Sequence, residues 1–249
     1  MQLLPETLEV IYKKGFTLNR KGEERKLVDA ISRDEAISIA KALRENKATV
    51  TVEIGVAFGA SALTICHALK EMGNEKAKHY GVDPNQLTHY EGIALDNLRK
   101  ENLIEIFHLL EGPSHLKVPE LINNKTVVDF ALIDGWHTFD YTLVDFFLVD
   151  KILRPGGLVA FHDTYAPAKQ KVLKYIKTHR HYEVVEDYLV KGNEPFTLTL
   201  KFFLSRMFKN PRLLFSSYHW RYQLKNSSGL FFLRKKDHYE PPYHFYKSF

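Results

Sequence analysis

Four titratable residues close two apolar runs that follow one another along the chain. Asp134 and His137 lie in the turn Asp134-Gly135-Trp136-His137 after VVDFALI, and His162 and Asp163 lie in Phe161-His162-Asp163-Thr164 after GGLVA. A charged pair that ends a buried strand needs a partner to offset its desolvation, so His162 and Asp163 point to chemistry rather than to packing. An imidazole, whose ordinary pKa is near ~6.5, accepts a proton at neutral pH, which makes proton transfer the chemistry such a cluster suits. For His137 the plain alternative is a helix-start residue bonded to a nearby backbone group.

Three earlier run ends add a second kind of chemistry. Glu53-Ile-Gly55-Val-Ala-Phe-Gly59-Ala-Ser61 follows ATVTV, and its two glycines let the backbone turn tightly and let a ligand reach the start of the next helix. It is not a dinucleotide fingerprint, because G-x-G-x-x-G is absent, and an acid two residues before the first glycine suits an ammonium group better than a pyrophosphate. Asp83, in Gly81-Val82-Asp83-Pro84, stands where a carboxylate can accept both hydroxyls of a ribose. Ser114, in Glu111-Gly112-Pro113-Ser114, is either a helix cap or a small hydroxyl at the edge of a base.

The elements that must bring these ends together are legible as alternating patterns. Short β-branched runs at ATVTVEIG, HYGVDP, IEIFHLLEG, VVDFALIDG and GGLVAFHD are separated by ALTICHALKEM, YEGIALDNLRKEN and FDYTLVDFFLVDKIL, whose apolar residues recur every three or four positions. Parallel strands need a long, normally helical crossover, so this alternation predicts a doubly wound, mostly parallel α/β sheet covered on both faces. Ligands of such sheets sit outside the carboxyl ends of the strands, which is where the polar turns fall. Ser32 followed by Glu35 predicts a capping box and an N-terminal helical lead-in over residues 1–47. After a helix near APAKQKVLKYIKTH, the runs YEVVEDYLV and FTLTLKFFLS, joined by KGNEP, predict an antiparallel hairpin that completes seven strands within a domain spanning 48–205.

The 249 residues, 45% of them hydrophobic and 26% charged, exclude a disordered, collagen-like or coiled-coil chain. No apolar run approaches the roughly 20 residues that cross a bilayer, and the first residues lack the order of a signal peptide, so a cytoplasmic location is expected. The single cysteine, Cys66, sits in a helical run as core filling. Charge is uneven: residues 201–249 carry +8 and 14 of the 32 aromatic residues, while residues 1–200 carry −3. Residues 206–249 therefore form a basic, aromatic C-terminal extension. It is expected to cover the cleft or an interface between copies in a homo-oligomer. Contact with nucleic acid or with an anionic membrane surface, through Phe202-Phe203-Leu204 and Leu230-Phe231-Phe232-Leu233, is the lesser alternative.

Taken together, E-x-G-x-x-x-G-x-S, an acid after the second run, D-G-W-H and H-D make residues 48–205 resemble a class I S-adenosylmethionine-dependent methyltransferase. Within that class they are most similar to the catechol O-methyltransferase and macrolide-sugar O-methyltransferase type. The resemblance implies that Glu53 and the turn Gly55 to Gly59 hold the methionine part of S-adenosylmethionine, with Ser61 near its carboxylate. It implies further that Asp83 binds the ribose and that Ser114 and Trp136 border the adenine. Asp134 matches a metal-binding aspartate that also belongs to the cofactor and catalytic set, and His162 with Asp163 match the Asp-Asn pair that completes a Mg²⁺ site. Here a histidine replaces the carboxylate and an aspartate the amide, so a divalent metal is a hypothesis. His137 matches a catalytic lysine and is the candidate general base for removing a proton from a small-molecule hydroxyl acceptor. Two other readings stay open: a nucleic-acid or protein methyltransferase that uses the basic tail, and a nucleoside-binding protein without methyl transfer.

Overall fold

The computed structural model describes residues 3–27, 30–164, 166–190 and 229–249. The lead-in comprises helix α1 (Glu6–Lys14), a two-stranded hairpin of β1 (Phe16–Leu18) and β2 (Glu24–Lys26), and helix α2 (Arg33–Glu45). The predicted capping box is present, since the Ser32 side chain accepts from the Glu35 backbone N–H while the Glu35 carboxylate accepts from the Ser32 N–H. The hairpin is not visible in the apolar pattern, because its strands are only three residues long. Tertiary ion pairs fasten it instead, with Arg20 on Asp96 at 2.7 Å and Arg25 on Glu91 at 2.6 Å.

The alternating patterns form β3 (Val50–Ile54), α3 (Ala60–Glu71), β4 (Lys78–Asp83), α4 (Ile93–Lys100), β5 (Phe107–Glu111), α5 (Ser114–Asn123), β6 (Val128–Ile133), α6 (Phe139–Ile152), β7 (Leu153–Phe161), α7 (Pro167–His179) and β8 (Tyr182–Val185). With β9 (Phe231–Lys235) they build a seven-stranded sheet in the order β5-β4-β3-β6-β7-β9-β8. Strands β3 to β7 pair in parallel, and β9 runs antiparallel to both β7 and β8. The chain leaves β3 toward β4 on one side and returns to β6 on the other, which opens the crevice at the carboxyl ends of β3 and β6.

Residues of period two separate the core into two layers. Phe130, Leu132, Leu158, Ala160 and Phe232 face the layer beneath α2 and α3, whereas Ile133, Val159, Phe161, Phe231 and Leu233 face the one beneath α6 and α7. Cys66 is buried in the first layer, and burial pushes its thiol well above the ordinary range, as core filling requires.

The far edge of the sheet departs from the expected arrangement. The run FTLTLKFFLS and its KGNEP turn lie outside the described residues, and the partner of β8 is β9, which belongs to the segment expected to be an extension. The expected boundary between 48–205 and 206–249 therefore does not separate sheet from extension. The Leu230-Phe231-Phe232-Leu233 run is likewise corrected as a membrane contact: all four residues are buried, because the sheet is covered on both faces, with Leu230 and Phe232 in one core layer and Phe231 and Leu233 in the other. Phe202-Phe203-Leu204 lies outside the described residues.

Candidate active site

The glycine turn is shaped by backbone geometry that other residues would break. Gly55 (φ +92°) ends β3 so close to β6 that a Cβ would stand 2.3 Å from the Asp134 carbonyl oxygen. Gly59 (φ +88°) caps α3, and a Cβ there would stand 2.7 Å from that of Ala94. Both positions need the left-handed conformation and the missing side chain. Asp83 closes the turn from the neighbouring strand: its Oδ2 accepts from the N–H groups of Val56 at 3.0 Å and Ala57 at 2.9 Å, and its Oδ1 accepts from Asn85 N–H at 2.8 Å. Gln86 donates to the Ala57 carbonyl at 2.8 Å. The carboxylate predicted at this strand end thus also locks the loop beside it. Ser61, in the first turn of α3, is buried beneath the turn.

Glu53 is placed differently from the role that the resemblance implies. It points into the layer beneath α3, fully buried, with its Oε1 3.1 Å from Nε2 of His79, while Nδ1 of His79 meets the Thr51 hydroxyl at 2.9 Å. The reason is parity, since Val52 and Ile54 face the other layer. Its carboxylate has no surface in the crevice.

On the other side of the crevice Trp136 is 69% exposed, and Ser114, buried at the start of α5, donates its hydroxyl to Asp145. Asp140 is exposed at the start of α6, whereas Asp145 and Asp150 of the same helix are both buried. Burial pushes the Asp145 carboxyl up to about 6 against the opposing Ser114 bond.

Asp134, His162 and Asp163 meet, with one ligating atom from each within 4.8 Å of the others. Nδ1 of His162 lies 3.0 Å from Oδ1 of Asp134 and 3.4 Å from Oδ2 of Asp163. The same Asp163 oxygen is 3.5 Å from Nδ1 of His137. Asp163 holds this position with φ +53°, unusual for a side-chain-bearing residue and common at functional turns. Two further residues complete the cluster. Glu35, from the first turn of α2, places Oε2 3.4 Å from Nε2 of His162, and Lys169, from the first turn of α7, places its Nζ 3.6 Å from Oδ1 of Asp134. Neither follows from run-end patterns: Glu35 reads as part of a capping box, and Lys169 falls within the helical run APAKQKVLKYIKTH. The one available signal was that a lysine in the first turn of a helix opposes the macrodipole.

Burial disfavours the His162 imidazolium, but the carboxylates of Asp134, Asp163 and Glu35 outweigh it and push its pKa up to about 12. Burial likewise raises the Glu35 carboxyl, but the His162 bond wins and leaves it below its ordinary value. His137 goes the other way, lowered by burial and by the Lys169 ammonium, so its ring is neutral at pH 7.

The donor set of two carboxylates and an imidazole is one a divalent ion accepts, yet Lys169 disagrees with an ion here. Its side chain is 1% exposed, and its ammonium stands 3.6 Å from Oδ1 of Asp134, one of the two oxygens that aspartate could offer an ion. Two unit charges about 4 Å apart repel by roughly 4 kcal/mol at an effective dielectric near 20, and a divalent ion doubles that. The cluster as built does not fit a metal.

An open parallel sheet with a glycine turn, an acid on the next strand and a polar cluster at the following strand ends is the arrangement that the strand-end pattern predicts. Residues 52–164 match the family described as "Methyltransferase domain". The tapetum-specific methyltransferase 1 of Arabidopsis thaliana is 28% identical over 134 residues, which is 53% of this chain and 53% of that protein, so the match spans about half the length of the curated relative. Among solved structures, the O-methyltransferase TomG of Streptomyces achromogenes, in complex with S-adenosylmethionine, superposes with a TM-score of 0.61 at 12% identity, covering 93% of this chain and 90% of that one. The S-adenosylhomocysteine-bound methyltransferase PaMTH1 of Podospora anserina gives 0.61 at 15% identity over 94% and 89%. The O-methyltransferase of Bacillus cereus, also in complex with S-adenosylhomocysteine, gives 0.58 at 15% over 72% and 80%. At these identities the structures share the fold.

Proposed function

We propose that this chain transfers the methyl group of S-adenosylmethionine to a hydroxyl of a small molecule of sugar, phenolic or natural-product type. The observation that carries the reading is the junction of the Gly55–Gly59 turn, locked by Asp83, with the Asp134, His137, His162 and Asp163 cluster across one crevice. A nucleoside and an attacking hydroxyl can then be held side by side.

In this reading the Asp83 carboxylate, three of whose acceptor sites hold the turn, keeps one on Oδ1 for a ribose hydroxyl. The free N–H groups at the start of α3, with Ser61 beside them, receive the methionine carboxylate. Trp136 and the Ser114–Asp145 pair border the adenine. The reaction is an in-line displacement: the acceptor oxygen forms a bond to the methyl carbon as the carbon–sulfonium bond breaks, leaving S-adenosylhomocysteine. The hydroxyl proton goes to His137. Its Nδ1 faces Asp163, which leaves Nε2 for the acceptor and lets the carboxylate steady the imidazolium that forms. Asp134 orients the acceptor, and no step passes through a metal.

Calorimetric titration with S-adenosylhomocysteine tests the reading. Micromolar binding that Asp83→Ala weakens supports it, and no binding by the full chain overturns it. Salt-sensitive RNA binding in place of small-molecule methylation would favour the nucleic-acid alternative.

A further inference from the structure

Lys169 is the residue that no expected role absorbs. As the third residue of α7 it sets a cation at the positive end of a helix, and its ammonium is fully buried. Both placements are unfavourable, and among the described residues the one carboxylate that meets Nζ is Asp134, at 3.6 Å, a long contact for a buried ammonium. A lysine ammonium is a compact point charge with three donors and no acceptor, the nearest side-chain equivalent of a small cation. Asp134 stands beside it, and Asp134, Asp163 and Glu35 all meet His162, whose single positive charge does not balance theirs.

We propose that Lys169 is the resident cation of the Asp134–His162–Asp163 cluster, a positioning residue that holds Asp134 and supplies from the protein the charge that a divalent ion would otherwise bring. The ion pair then excludes divalent metal. The inference rests on the methyltransferase reading for the chemistry served, but not for the ion pair itself.

Mn²⁺ is the probe, followed by electron paramagnetic resonance and calorimetry on the full chain, for wild type and for Lys169→Met, Lys169→Gln and Lys169→Arg. Wild type and Lys169→Arg are expected to bind Mn²⁺ only weakly. Removal of the charge in Lys169→Met or Lys169→Gln should tighten binding by about tenfold or more, and adding Asp134→Asn to either should abolish the gain. Tight, Asp134-dependent Mn²⁺ binding by the wild type overturns the proposal, as does a folded neutral variant that gains nothing, or an arginine variant that gains as much as the neutral ones. The two neutral variants differ in polarity, so a failure of Met to fold leaves Gln as the test, and the wild-type measurement decides alone if both fail. S-adenosylhomocysteine binding in the same samples is read separately: its absence removes the methyltransferase reading and leaves the Mn²⁺ result standing.

Discussion

Two aspartate–lysine pairs flank β7, one with both partners buried and one with a buried lysine on a half-buried aspartate, and they are built differently. At the antiparallel edge, Asp150 of α6 receives Lys235 of β9 at 3.0 Å and the Tyr182 hydroxyl at 2.6 Å, with Arg180 at 3.7 Å, and Lys235 also donates to the Asp150 carbonyl. Lys169 in the crevice reaches Asp134 at 3.6 Å and has no closer polar partner among the described residues. The bonds of Lys235 and Tyr182 to Asp150 hold β8 and β9 against α6, although the buried Arg180 Nε beside them has no hydrogen-bond partner among the described residues. A network with fewer bonds retains donors and charge for something that is not part of the chain.

The largest effect expected is on stability at the edge pair. Asp150→Ala strands a lysine and an arginine in the core and should cost about 3–5 kcal/mol in denaturant unfolding. Asp134→Asn should cost clearly less, because Lys169 meets it only at 3.6 Å, while S-adenosylhomocysteine affinity is kept. Equal losses at the two aspartates would erase the distinction drawn here. His137→Gln should leave stability near wild type and reduce turnover with a hydroxylated acceptor by about 100-fold or more, while removing the pH dependence of the rate. A wild-type pH profile would return His137 to a purely structural role.

Asp83→Ala should weaken S-adenosylhomocysteine binding by about 1.5–3 kcal/mol, the range for hydrogen bonds to a charged group. Part of that loss reflects the freed turn, so a Gly59→Ala comparison, which disturbs the turn but keeps the carboxylate, sharpens the assignment. The smallest effect is expected at Asp145. Its folded pKa of about 6 lies above the ordinary value near 3.8. The folded protein therefore binds the extra proton, and its contribution to stability declines as pH rises from about 4 to 6. Asp145→Asn, which can still accept from Ser114, should flatten that part of the stability–pH curve. An unchanged curve would show that Asp145 titrates normally.

The crevice was legible where local chemistry suffices. Gly55, Gly59 and Asp83 sit at the ends of continuous apolar runs, and a run end in a parallel sheet is a position in space as well as in sequence. His162 and Asp163 were legible for the same reason. Glu35 and Lys169 were not, because each lies in the first turn of a helix, where capping or solvation accounts for a charge equally well. Strand β9 was masked in another way: Phe231–Lys235 carries a strand pattern, but its basic, aromatic setting matched a surface extension as well as a sheet.

By itself the sequence determined the alternation of strands and helices, the parallel sheet and the strand ends where polar residues gather, because these depend on residue periodicity and on the steric demands of glycine. Only the tertiary structure decided which distant charges share a site. Whether Lys169 meets Asp134, Glu53 meets His79, or Lys235 meets Asp150 depends on helix placement and strand parity. Those are set by the packing of the whole sheet, which no local pattern encodes.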